Sequence, residues 1–271
     1  AYDEENTDKV LFYLNKQKDI YADKKAKVIY LRILLTDCFY SRLKYEYEKL
    51  LKNAFAIIRL AGEERRYIPY KTKAFILSGY VYYNMQDHYK AFKFFKRGRI
   101  LSDMISNIYD ECDALYNILL IHLNIYGYND RTLPYTRKLL AKIRKSGIGS
   151  IEVPLLINYA KILTEKQKHL SAYECVKQGE QRIEEYKLVK FKLINIIAMI
   201  GVLKNLNEYG KMFEYANLMK TILKKEETET VHFYSAALYS ILADAYQELN
   251  CNEKAYELSL IHISEPTRQA E

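Results

Sequence analysis

The stretch FILSGYVYYNMQDHYKAFKFFKRG, from Phe75 to Gly98, decides the fold of this chain. Two apolar segments with helical spacing flank a polar turn, NMQDHY, at residues 84–89. Gly79 and Ala91 are small residues twelve positions apart, where two helices can approach closely while larger side chains fill the space beside them. The stretch therefore predicts an antiparallel helix pair.

The same spacing recurs along the chain. Ala243 and Ala255 stand twelve residues apart in YSILADAYQELNCNEKAYEL, and Ala160 and Ala172 do so in LINYAKILTEKQKHLSAYECVKQG. Weaker copies surround Cys38 and Ile200, and segment 117–145 supplies a further helix pair in the widest gap. The first-helix positions of these copies, which we call anchors, are 41, 81, 40 and 43 residues apart: Cys38, Gly79, Ala160, Ile200 and Ala243. This spacing predicts an array of helix pairs with a period of about 40 residues.

The best copy also carries a known signature. Phe75, Ser78, Gly79 and Tyr82 stand at the offsets of W-x2-L-G-x2-Y, and Ala91 with Phe95 at those of A-x3-F. In these positions the chain resembles the tetratricopeptide repeat family, in a lengthened and degenerate form, over residues 20–257. HEAT-type helical repeats, whose periods are nearer 40, are the structural alternative.

This resemblance implies an all-α fold, a right-handed superhelical solenoid of about six antiparallel helix pairs whose first helices line a concave face. We expect residues 1–257 to form one such domain, which begins with a short helix near residues 7–18. LSLIHISEPTR, Leu258 to Arg268, resembles a translated sequencing adapter. We therefore interpret residues 258–271 as a non-native tail, and expect residues 1–257 to be a fragment of a longer protein.

Composition narrows the function classes. The chain has 271 residues, of which 49% are hydrophobic and 28% charged, with only nine glycines and four prolines, which favours a folded all-α protein. The net charge is +8, and the basic clusters Lys93–Arg99 and Arg137–Lys145 lie on amphipathic helices without a nucleic-acid motif. We expect these clusters to be solvated outer faces rather than nucleic-acid sites.

The cysteines, the longest apolar run and the absence of catalytic motifs exclude further classes of protein. Four cysteines occur without a CxxC pair, so we predict buried free thiols, with no disulfide framework and no zinc site: Cys38, Cys112, Cys175 and Cys251. The longest uncharged apolar run, Leu193–Leu203, is well short of the ~20 residues that span a bilayer, so we predict no membrane insertion. The thiols favour a cytoplasmic over a periplasmic location. No phosphate loop and no G-x-S-x-G motif is present, and we predict neither an enzyme nor a cofactor.

The family resemblance also implies which positions face the groove. Positions two, five, nine, twelve and thirteen of each tetratricopeptide repeat face the concave side. Carried onto this chain, they include apolar or small residues such as Ile76, Ile157, Ile197 and Gly201, and polar residues such as Thr164, Glu165, Ser240 and Glu248. Ile76 and Tyr80 stand where the family's carboxylate clamp needs polar residues, which argues against chaperone-tail binding. As peptide-binding candidates we select Lys73, Tyr80, Tyr83, Asn84, Lys161, Lys204, Asn205, Asp244 and Gln247.

The function that follows is a non-enzymatic scaffold that binds a protein or peptide partner. The chain resembles the tetratricopeptide sensory regions of bacterial signalling and transcription regulators. A regulator that senses a peptide pheromone inside the groove is one alternative. A helical array that binds nucleic acid through Lys93–Arg99 is another.

Overall fold

The computed structural model describes residues 24–224 and 229–258 of the chain. These residues form helices joined by short turns, and no strand occurs among them. The predicted leading helix at residues 7–18 and, apart from Leu258, the predicted tail at residues 258–271 lie outside the described residues. In chain order the α-helices are α1 (Lys24–Leu43), α2 (Tyr47–Ala61), α3 (Ile68–Asn84), α4 (His88–Met104), α5 (Ile108–Tyr126), α6 (Leu133–Ser146), α7 (Gly149–Glu165), α8 (His169–Glu185), α9 (Lys192–Asn205), α10 (Tyr209–Leu223) and α11 (Glu229–Glu248), followed by a helical segment at 252–258.

This order corresponds to six consecutive helix pairs, so the predicted all-α class and number of pairs are confirmed. The chain forms two compact units, the first ending at Ile125 and the second beginning at Tyr126, near the end of α5.

The first unit is built around α3. Its residues from Ala74 to Gly79 are all buried, because α2 and α4 both pack against this helix. One core cluster joins α1, α2 and α3 through residues such as Leu31, Leu50 and Leu77. A second joins α3, α4 and α5, and its buried members are Ile76, Ala91, Phe95, Ala114 and Ile121.

The predicted close approach of α3 and α4 occurs at Gly79. A Cβ atom at this position would lie 2.7 Å from the ring atoms Cδ1 and Cε1 of Phe95. Real Cβ atoms do not approach other atoms so closely, so Gly79 is needed for the two helices to cross at this distance.

The second unit repeats this arrangement. α7 packs against α8, and α9 packs against both α8 and α10. Its anchors Ala160 and Ile200 are 2% and 0% exposed, and the residues twelve positions later, Ala172 and Met212, are fully buried. The sequence pattern therefore identified the residues at which the helices of a pair meet.

The turns within pairs share one backbone geometry. A residue with positive φ stands seven positions after each anchor, and two positions later the second helix begins: Tyr45, Gln86, Gln167, Asn207 and Asn250. At Gln86, for example, the amide donates to the Tyr83 carbonyl at 3.0 Å, and the Asp87 amide donates to the Tyr82 carbonyl at 2.9 Å. These two bonds define a Schellman motif, which satisfies the last carbonyls of the first helix. The Asp87 side chain then caps α4 by accepting from the Lys90 amide at 3.0 Å.

The connection between α5 and α6 departs from this geometry. Gly127 has a positive φ of 77°, but α6 begins only at Leu133. The Thr132 hydroxyl donates to the Gly127 carbonyl at 3.2 Å and closes this longer loop. The residue seven positions before Gly127 is Leu120, which is large and half-buried, so no small anchor marks this pair in the sequence.

The basic cluster on α4 and the cysteines can now be placed. Lys93, Lys96 and Arg97 are exposed, as expected for an outer helix face. Of the four cysteines, Cys251 is exposed, so the prediction that all are buried was wrong for this one. It lies in the turn after α11, where the chain is open to solvent. Within residues 24–224 and 229–258, no helix is both long enough and apolar enough to cross a membrane.

Candidate functional site

In the first unit, three candidate side chains on α3 contact α5. Lys73 forms an ion pair with Asp110, which is only 1% exposed. The Tyr83 hydroxyl accepts a hydrogen bond from Asn124 at 2.9 Å. These contacts join the first helices of neighbouring pairs, so Lys73 and Tyr83 already have partners within the fold.

Tyr80 is held most firmly. Its hydroxyl donates to Asp113 at 2.8 Å and accepts from Asn117 at 3.1 Å. Its ring packs edge-on against Phe95, with the Arg42 guanidinium 3.9 Å from the ring centroid. Burial raises the pKa of Tyr80, and the neighbouring Asp113 carboxylate raises it further. This environment makes Tyr80 a bridge between helices rather than a ligand-facing aromatic. Asn84, at the end of α3, is exposed.

In the second unit, the ends of α7, α9 and α11 surround a pocket of about 590 Å³. Two of the peptide-binding candidates, Lys204 and Asn205, line it. Three further predicted groove residues do so as well: Thr164, Glu165 and Glu248. The resemblance to tetratricopeptide repeats thus selected residues from three first helices that the fold brings together.

Two pocket residues, Lys204 and Glu248, belong to a compact charge cluster. Lys204 lies 3.3 Å from carboxylate oxygens of both Asp244 and Glu248, with its side chain 16% exposed. Tyr209 donates to Glu248 at 3.0 Å, and this hydrogen bond raises the pKa of its hydroxyl. One lysine thus faces two carboxylates, so the cluster has a net negative charge.

The remaining candidates lie along the same helices. Lys161, on α7, is exposed, and its ammonium lies 5.5 Å from the centroid of the Tyr128 ring. Enough protein surrounds this ammonium to lower the pKa of Lys161 by desolvation. Gln247, on α11, is exposed outside the pocket lining.

Sequence reasoning missed four pocket residues. Gln167 and Asn207 are the positive-φ turn residues, and His169 with Tyr209 begin the second helices. Each turn residue stands seven positions after its anchor and each helix-starting residue nine after it. These offsets could have found them, but the tetratricopeptide pattern places groove residues only on first helices.

Among residues 24–224 and 229–258, no group of three or more His, Cys, Asp or Glu side chains is placed to hold a metal ion. The pocket lining consists of amides, hydroxyls, the His169 imidazole and the charged groups of Glu165, Lys204 and Glu248.

The chain is similar to several solved structures. No protein-family model matches the sequence, and no curated protein sequence does. The apo form of RapI matches with a TM-score of 0.64 at 10% identity, with 96% of each chain covered. Aspartyl phosphate phosphatase F from Bacillus subtilis matches with a TM-score of 0.67 at 12% identity, with 94% of this chain and 68% of that chain covered. NprR in complex with its cognate peptide NprX matches with a TM-score of 0.62 at 14% identity, with 98% and 75% covered. At these identities the similarity shows a common all-α fold.

Proposed function

We propose that this chain is a non-catalytic helical-repeat scaffold that binds a short peptide, as the sensory region of a bacterial signalling or transcription regulator. The observation that carries the proposal is the pocket of about 590 Å³ formed by three consecutive first helices. Its position follows from the repeat itself, because equivalent residues of each pair face the same side.

The chemistry of the lining suits a peptide backbone. Asn205, Asn207 and Gln167 contribute amide side chains, each of which can both donate and accept hydrogen bonds. An extended peptide presents N–H and C=O groups in alternation, so such amides can hold it with little regard to its side chains. The charged residues of the pocket can then select among peptides.

The similar structures support the same proposal. One of them, NprR, is described in complex with its cognate peptide. Another is named an aspartyl phosphate phosphatase. We propose binding rather than catalysis for this chain because the pocket lysine is already paired with two carboxylates and its amides are suited to holding a ligand.

We also propose that residues 1–257 form one repeat region of the tetratricopeptide rather than the HEAT type, and that residues 258–271 are not native. The close packing at Gly79 supports the tetratricopeptide assignment, because a small residue in contact with an aromatic one is the pairing its signature describes.

A peptide selection tests the proposed function. The full chain is mixed with a pooled library of random hexapeptides, and bound peptides are recovered and identified by mass spectrometry. We expect a restricted set of sequences, and we expect Asn205→Ala to weaken their binding about tenfold while circular dichroism stays unchanged. An exposed asparagine on a second helix, Asn217, provides the control, because Asn217→Ala should bind as the parent does.

Two results would contradict the proposal. Recovery of no enriched peptide would remove the peptide-binding function. Release of phosphate from a protein aspartyl phosphate above the uncatalysed rate would contradict the non-catalytic assignment. Binding of a DNA or RNA duplex that weakens steeply with salt would instead support the basic surface on α4 as the working face.

A further inference from the structure

Three adjacent first helices differ in charge at one position of the repeat, the residue directly after the anchor. Lys161, Gly201 and Asp244 each directly follow an anchor, on α7, α9 and α11. The anchors are buried, and α9 packs against both α7 and α11. The three residues therefore leave the core on the same side, with a cation first, no side chain second and a carboxylate third.

Lys161 is the only cation of this row. Within residues 24–224 and 229–258 it forms no ion pair, and its ammonium lies 5.5 Å from the centroid of the Tyr128 ring. Lys204, by contrast, lies 3.3 Å from two carboxylates. A desolvated lysine without a counter-ion gains more from an incoming carboxylate than a solvated one does.

Gly201 leaves an open position on the surface of α9. It lies inside α9, and no atom of the described chain is within 4 Å of the position its Cβ would occupy. Glycine inside a helix destabilises it relative to alanine, and here no packing contact requires glycine. Gly79 differs, because a Cβ there would meet Phe95. The open position at Gly201 therefore suits the close approach of a ligand backbone.

The acidic end of the row lies on α11. Asp244 and Glu248 share the single charge of Lys204, which leaves a net negative charge there. A positively charged group, such as the amino terminus of a peptide, is complementary to this end.

Resting on the proposed function, we propose that Lys161 binds the terminal carboxylate of a short linear peptide, whose backbone crosses α9 over Gly201 and whose amino terminus lies near Asp244 and Glu248. Packed helices lie about 8–10 Å apart, so α7 and α11 are about 16–20 Å from one another across α9. An extended chain advances about 3.3–3.6 Å per residue, so this span corresponds to about five or six residues.

The test compares two peptide libraries on the full chain. One contains random hexapeptides with free carboxylates, and the other contains the same sequences with amidated C-termini. Enriched peptides are then measured by fluorescence polarisation in both forms. We expect the amide to bind about ten- to hundredfold more weakly than the free acid. Lys161→Gln should weaken the acid to the level of the amide and leave the amide unchanged.

Two matched variants control for general effects. Lys177 is exposed on α8 with its ammonium 5.8 Å from the centroid of the Tyr173 ring, so Lys177→Gln should bind both forms as the parent does. Gly210, at the start of α10, is the other helical glycine whose added Cβ would meet no described atom. Gly210→Leu should therefore leave peptide affinity within about twofold.

Gly201→Leu gives the second arm of the test. It should raise the melting temperature, since leucine is the better helix former, and weaken peptide binding by at least about tenfold. If Gly201→Leu is instead destabilised, the peptide affinity of Gly201→Ala and the comparison of acid with amide test the proposal.

Equal affinity of acid and amide, or normal affinity of Gly201→Leu, would overturn this inference while the proposed peptide binding stands. If neither library contains a binder, the proposed function and this inference both fail.

Discussion

Tyr80, Asp113 and Asn117 form a partly buried polar cluster between α3 and α5. The Asp113 carboxylate accepts from the Tyr80 hydroxyl at 2.8 Å and from the Asn117 amide at 3.1 Å. Burial raises the pKa of Asp113, although its hydrogen bond with Tyr80 and the charge of Lys73 act in the opposite direction. Desolvation of the charged form is therefore the dominant influence on this residue.

The pH dependence of stability follows from this raised pKa. Asp113 binds its proton more tightly in the folded than in the unfolded chain, so its stabilising contribution is complete below the unfolded value of about 4. It is lost as the pH rises through the folded pKa. We predict that the free energy of unfolding of the wild type, minus that of Asp113→Asn, falls with rising pH above about 4. Urea denaturation at a series of pH values measures this difference, and a rising difference would contradict the assignment.

Single residues also show what the sequence could not reveal. Tyr80 was selected as a groove aromatic because of its position in the repeat. Its partners Asp113 and Asn117 lie 33 and 37 residues away, so no local pattern indicates that its hydroxyl is already bonded. Lys204 and Asn205 line the pocket, and their selection used only their position within the repeat.

At the scale of elements, the fold depends on how closely paired helices cross. We predict that Gly79→Leu lowers the free energy of unfolding by about 1–3 kcal/mol or more, since even a Cβ would lie 2.7 Å from Phe95. Lys96→Ala on the exposed face of α4 should change it by less than about 0.5 kcal/mol. Arg97 is a poorer control, because its guanidinium lies 5.7 Å from the Phe75 ring centroid. Chemical denaturation measures the free energy of unfolding of both variants. A larger loss of stability in Lys96→Ala than in Gly79→Leu would contradict the assignment of helix faces.

The turns give a second prediction at this scale. Gly147 ends α6 with φ of 66°, and no described atom lies within 4 Å of an added Cβ. Gly147→Ala should therefore lower the free energy of unfolding by about 1 kcal/mol through backbone strain alone. Lys187 occupies the corresponding turn between α8 and α9 with φ of 53°, so Lys187→Gly should relieve strain and be neutral or stabilising. Thermal and urea unfolding measure the stability of the two variants. Equal losses of stability in Gly147→Ala and Lys187→Gly would show that backbone strain is not the cause.

The helix pairs also show how much of the fold the sequence pattern could predict. Anchors identified five of the helix pairs, and four of the five anchors are small residues, as close helix crossings need; Ile200 is the large exception. The α5–α6 connection gave no such signal, since Leu120 is large and the loop is longer than the other turns within pairs. The turn residues of the pocket were missed because their role depends on the geometry of three neighbouring pairs, which no single repeat contains.

At the scale of the whole molecule, the central claim is that the first-helix surface binds the ligand and the basic face of α4 does not. Lys204 and Asn205 represent the first surface, and Lys93 and Arg97 the second. Both sets are polar side chains on helices, so truncation to alanine should leave the fold intact in each case.

Isothermal titration calorimetry of one enriched hexapeptide against the full chain tests this claim most directly. We predict that Asn205→Ala weakens binding about tenfold or more, whereas the double variant Lys93→Ala with Arg97→Ala binds as the wild type does. Circular dichroism confirms that both variants fold. If Asn205→Ala binds normally and the double variant loses binding, the working surface is the basic face of α4, and the peptide-groove account is wrong.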